Sequence, residues 1–157
     1  MARRWFDSLE TIAVEALVVG AAMLLGEVIK ELLAQGLLSI PSVAAGWPVP
    51  VLIALLPLVM LLTSLMGLHP IISASCMLPV LASVPELHSL VATGSVLLGW
   101  MLCVVLSGFV VPVLYAAILF EVRERELVRG RNLRFCAIFT PIALLYLWGL
   151  NVLLDRS

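Results

Sequence analysis

Apolar residues along this chain fall into four long blocks, and the charges, prolines and glycines collect mostly between them. The first block runs from Leu9 to Leu33, carries Ile12, Leu17, Val18, Met23, Leu24, Val28 and Leu32, and ends with Glu27, Lys30 and Glu31. Spacings of three and four place those charges on one helical face. The pattern therefore predicts a helix over 9–33 whose last turns meet an interface or polar protein. A loop rich in Gly, Ser and Pro follows from Gln35 to Pro50, around Trp47, an aromatic suited to a headgroup layer.

The second block ends at Val84. As one helix, its roughly 36 residues would measure about 54 Å, against about 30 Å of hydrocarbon in a bilayer. It must break, and Gly67-Leu68-His69-Pro70 is where it does so. Glycine permits unusual dihedrals there, while proline removes a donor and pushes the residue before it out of the α region. Residues 50–84 thus read as a hairpin broken at 67–70, with Thr63, Ser64, Ser73 and Ser75 around the break. The third block, 88–120, is also too long and reads as a helix broken at 107–112, from Ser107-Gly108 to Pro112. The fourth, 135–154, is a single span with Pro141, Trp148 and Asn151.

Composition decides what solvent these blocks need. Hydrophobic residues make up 63% and charged residues 12% of the 157, about half the charge of an ordinary soluble domain. Mean hydropathy is +1.19. No Asp, Glu, Lys or Arg occurs from Leu32 to Pro85, nor between Glu86 and Glu121. The expectation is a single all-α transmembrane domain, 1–157, embedded in a lipid bilayer. Charges within the first apolar stretch, and no clean small-residue cleavage site, make that stretch a retained helix rather than a signal peptide.

The basic residues set an orientation. Arg3 and Arg4 precede the first block, and Arg123, Arg125, Arg129, Arg131 and Arg134 lie between the third and fourth; Lys30 and Arg156 fall elsewhere. The positive-inside rule then makes the N-terminus and the 121–134 loop cytoplasmic in a multi-pass inner-membrane protein. The second block must start and finish outside. It does so as two full helices meeting at a cytoplasmic turn, or as a re-entrant hairpin with a mid-membrane tip.

Irregular backbone at membrane depth is tolerated where it is buried in protein or lines a wet cavity, and secondary transporters use such breaks to hold ions and substrates. The string Gly67-Leu68-His69-Pro70-Ile71-Ile72-Ser73-Ala74-Ser75, then Met77-Leu78-Pro79-Val80 and Leu98-Gly99-Trp100 before the Ser107-Gly108 break, resembles the C-terminal half of ion transporter superfamily carriers. That superfamily includes the divalent anion/sodium symporters and the membrane subunits of TRAP dicarboxylate transporters. The resemblance covers about residues 9 to 154 and implies helix, re-entrant hairpin, broken helix and final helix, in that order. Those symporters typically carry a Ser-Asn-Thr tip, where this chain has Thr63-Ser64 ahead of Gly67. Their site is built from two inverted repeats, and these residues suffice for one.

The function expected is half of a secondary transporter for a small organic or inorganic anion, coupled to Na⁺ or H⁺. A complementary half or a homo-oligomer would complete it. The path residues would be Thr63, Ser64, Gly67, His69, Pro70, Ser73, Ser75, Ser107 and Gly108. The rival is a small structural or accessory subunit of a larger membrane complex, whose breaks serve helix packing.

Other features read more plainly. His88 suits an outer loop, Gly94, Ser95 and Gly99 a close-packing helix face, and the Glu121–Arg134 run a solvated segment without nucleic acid. Cys76, Cys103 and Cys136 suit buried thiols. Glu15 is either shallow and wet or the buried partner of another subunit. No nucleophile–base pair, metal-ligand spacing, phosphate loop or cofactor motif occurs, so an enzyme is not expected.

Overall fold

Helix starts and stops follow from local chemistry in the computed structural model. It describes residues 2–38, 47–108 and 111–155, with side chains for all of these except 2–12, 15, 111 and 112. Arg3, Arg4 and Glu15 thus have side chains outside the described set. α1 (Ala2–Ala34) begins several residues before Leu9 and ends at Gly36, whose φ of +71° suits glycine. α2 (Val49–Leu65) starts at a proline and ends at Gly67, φ +89°. There the Leu68 N–H donates to the Thr63 carbonyl (3.0 Å) and the Gly67 N–H to the Ser64 carbonyl (3.0 Å), the paired bonds of a Schellman stop. α3 (Pro70–Ala82) and α4 (Ser89–Leu106) are capped alike: the imidazole Nδ1 of His69 accepts from Ile71 N–H at 3.3 Å, and that of His88 from Leu90 N–H at 3.2 Å.

After α4 the chain is extended at Ser107 and turns at Gly108 before α5 (Val111–Leu119). The third block is therefore cut unevenly, into pieces of about 27 Å and about 14 Å. α6 (Glu124–Leu127) leads through a π-type turn over Val128–Asn132, kinked at Gly130, into α7 (Leu133–Leu154). All regular structure among the described residues is helical.

The register follows from close approaches. α2 and α4 run parallel: Ile53 meets Ser95, Pro57 and Met60 meet Gly99, and Ser64 meets Ser107. A Cβ on Gly99 would lie 2.7 Å from Met60 Sδ and 2.9 Å from Pro57 Cα, so no larger residue fits between these helices. α7 runs antiparallel to α4, with Gly94 against Leu147. α1 runs beside α3, with Gly26 against Ser75 and α1 resting on no other helix to a comparable extent. Leu52, Ile53, Leu56 and Met60 of α2 and Val91, Leu98, Leu102 and Cys103 of α4 form the buried centre.

Prolines inside helices explain one of the polar contacts. Pro57 has no N–H, so the Ile53 carbonyl one turn earlier loses its helical donor. The buried Ser95 hydroxyl supplies one from α4, at 2.6 Å. At the same end of the molecule, Asn151 of α7 accepts from His88 N–H (2.9 Å) and donates to the Glu86 carbonyl (3.0 Å), clamping the α3–α4 loop.

The outside is apolar. Leu17, Leu24, Ile118, Leu119 and Leu153 are each about 70% exposed or more. Among the described residues, two segments are long and apolar enough to cross a membrane, α4 and the kinked α6–α7 stretch Glu124–Leu154. Only 11% of the second segment's most apolar window is buried, so it is not the covered centre of a helical bundle.

Candidate functional site

The two chain breaks meet. Because α2 and α4 are parallel and similar in length, their C-terminal ends lie side by side, and the Ser107 hydroxyl donates to the Ser64 carbonyl at 3.1 Å. Both residues are buried, at 1% and 0% exposure. The Ser64 carbonyl thereby receives two donors, the Gly67 N–H and the Ser107 O–H. The Ser64 hydroxyl lies beside the Cys103 thiol and has no oxygen or nitrogen partner. A thiol is a weak hydrogen-bonding group, so this hydroxyl is the least satisfied buried polar atom of the cluster.

The hairpin closes on itself through Thr63 and Ser73, whose oxygens are 2.6 Å apart. Thr63 Oγ1 also faces the carbonyls of Val59 (2.9 Å) and Met60 (3.0 Å). Its single proton goes to its own helix, which makes Ser73 the donor between the two hydroxyls. His69 is half-buried, and its ring meets Trp100 of α4 edge-on, with centroids 6.2 Å apart and planes at 73°. With Nδ1 accepting at the cap, Nε2 is the ring nitrogen left to donate.

The structure thus brings Thr63, Ser64, His69, Pro70, Ser73 and Ser107 to one end of the bundle. Gly67 is beside them but exposed, with open space where a Cβ would stand. Gly108 adjoins Glu124 on the far side of the break. Ser75 is not in the cluster: two residues beyond Ser73 it sits on another face of α3, against Gly26 of α1, at the edge of a cavity of about 630 Å³ between α1 and α3. Trp100 and Cys103 complete the cluster without having been singled out as site residues. Their spacings of seven and four before Ser107 put them on the same helical face, the signal available for finding them.

Electrostatically the cluster has no formal charge. Two helix C-termini, α2 and α4, present partial negative charge, and the N-terminus of α3 presents partial positive charge beside them. Such an arrangement favours a cation against the carbonyl ends and an anion near Pro70.

No family model matches this chain, and no curated protein or solved structure matches it.

Proposed function

We propose that this chain is a multi-pass helical membrane protein carrying half of a secondary-transport site for a small anion coupled to Na⁺ or H⁺. A second chain, a complementary half or another copy, completes the site. The observation that carries this reading is the meeting of the two breaks through Ser107 and Ser64. Two unrelated interruptions, 40 residues apart in sequence, converge where helix dipoles of both signs end. The exposed apolar residues of α1, α5 and α7 support the bilayer part of this reading, because such a surface suits hydrocarbon. With the arginine segment 123–134 in the cytoplasm, α2 enters from outside, α3 returns, α4 enters and α7 leaves. Spans of about 26 Å for α2 and about 27 Å for α4 then put the cluster near the cytoplasmic edge of the hydrocarbon layer, deeper than the midplane.

A second reading, that of an accessory subunit, is favoured by one observation: most hydroxyls of the cluster are already paired within the chain. Cysteine accessibility separates the two. Single cysteines at Leu68, His69 and Ser73, in a background lacking the three native ones, are labelled from each side with a membrane-impermeant reagent. The labelling is repeated with and without dicarboxylates, citrate and Na⁺. Protection by one anion, dependent on a cation, is the transporter result. Labelling that ignores every solute, with no uptake in proteoliposomes, leaves the accessory reading.

A further inference from the structure

A second cavity, of about 420 Å³, lies between α2, α4 and α7, and no residue of the cluster lines it. Its walls are Pro57, Leu61, Leu102, Leu106, Ala137 and Leu144 among others, and it runs along α7 from Leu144 to Leu133, about 17 Å. At the Leu133 end the chain passes into the π-type turn, which packs against α4. Arg129 and Arg131 of that turn and Arg134 of the first turn of α7 are all exposed, with no acidic residue between them. The two ion pairs found among the described residues are Lys30–Glu27 and Arg123–Glu126, so neither engages these three arginines. An apolar slot long enough for an acyl chain therefore ends at Leu133, next in the chain to a segment with three exposed arginines that neither ion pair engages.

We infer that this slot and its arginines form a binding site for an anionic phospholipid, with an acyl chain in the slot and the phosphate at Arg131 and Arg134. The inference rests on the membrane placement proposed above, and it concerns a surface that the transport site does not use. A second copy of the chain is the poorer occupant, because a symmetric contact across this face would bring two sets of like-charged arginines together. Guanidinium groups suit the phosphate, offering paired N–H donors in a fixed plane. Arginines near an anionic headgroup each contribute enough to raise affinity several-fold.

The test uses the full chain in detergent, with dioleoyl phosphatidylglycerol, dioleoyl phosphatidylcholine or glycerophosphate added, read by native mass spectrometry and thermal unfolding. The site predicts retention of phosphatidylglycerol and stabilisation by it over phosphatidylcholine. The Arg131→Gln/Arg134→Gln pair should weaken that binding about thirtyfold. Ala137→Leu should block it by filling the slot at an exposed position, where the helix tolerates leucine. Equal effects of the two lipids would overturn the inference, as would an effect of glycerophosphate alone. So would a concentration-dependent dimer cross-linked through cysteines at Ala137. Carbonate extraction of cell membranes, done in parallel, reports on membrane placement itself. Protein that resists extraction but ignores lipid charge loses the lipid site alone, whereas protein released by carbonate loses the membrane reading too.

Discussion

Removing the Ser95 hydroxyl tests whether a proline on one helix dictates a polar residue on another. Ser95→Ala deletes the 2.6 Å bond to the Ile53 carbonyl, and both groups lie in the fully buried seam of α2 and α4. A buried acceptor left without a donor costs about 1–3 kcal/mol. Measured side-chain bonds between membrane helices average about 0.6 kcal/mol and reach about 1.7. The short distance and complete burial place this bond at the upper end, about 1.5 kcal/mol. The deciding experiment is the same substitution in a Pro57→Ala background. There the backbone regains an N–H at position 57, the Ile53 carbonyl recovers its helical donor, and Ser95→Ala should cost about 0.5 kcal/mol or less. The coupling between the two sites is then about 1 kcal/mol, read as a double-mutant cycle by denaturant titration in bicelles. The packing change caused by Pro57→Ala cancels in the cycle. Equal costs in the two backgrounds, within about 0.3 kcal/mol, would refute the account of Ser95 as the replacement donor.

Three further outcomes are expected. Gly99→Ala meets Met60 and the backbone of Pro57 at under 3 Å, whereas Gly94→Ala meets only the flexible tip of Leu147. The first should therefore destabilise by about 1–3 kcal/mol and the second clearly less, in the same titration. Gly67→Ala forces a side chain to φ +89° in open space. It should cost about 1–2 kcal/mol, with Gly67→Asn milder, and equal costs would argue against backbone strain as the cause. Asn151→Leu strands one donor and one acceptor of the α3–α4 loop. It should cost about 2–3 kcal/mol and speed protease cleavage at residues 83–88; an unchanged cleavage rate would mean the clamp does not hold the loop.

The sequence carried the interruptions and not the pairings. Gly67 before a His-Pro step, and Ser107-Gly108 in an apolar run, are local chemical events, so their positions could be read directly. The second break lies where it was read, after the 18 residues of α4, and leaves only a short α5 beyond. Gly94, Ser95 and Gly99 read as a packing face, and the structure shows their contacts with Leu147, Ile53, Pro57 and Met60. What periodicity could not give was which helix each residue would meet. The parallel register of α2 and α4, which joins Ser64 to Ser107, depends on complementary surfaces far apart in the chain. Ser75 shows the same limit: proximity in sequence placed it with Ser73, but on a helix two residues apart means a different face. His69 and His88 read as a site candidate and a loop residue, yet both cap helices through the same Nδ1 geometry.

The Asn151 clamp also imposes an order of assembly. It joins residues 63 and 65 positions apart, and every group it holds is synthesised before it. Until α7 emerges and turns back along α4, the Glu86 carbonyl and the His88 amide have only water, and the entry to α4 is unlatched. Nascent chains arrested before residue 151 should therefore keep that loop open to protease, and chains arrested after α7 has cleared the ribosome should not. A helix made later thus locks the connection between two helices made long before it.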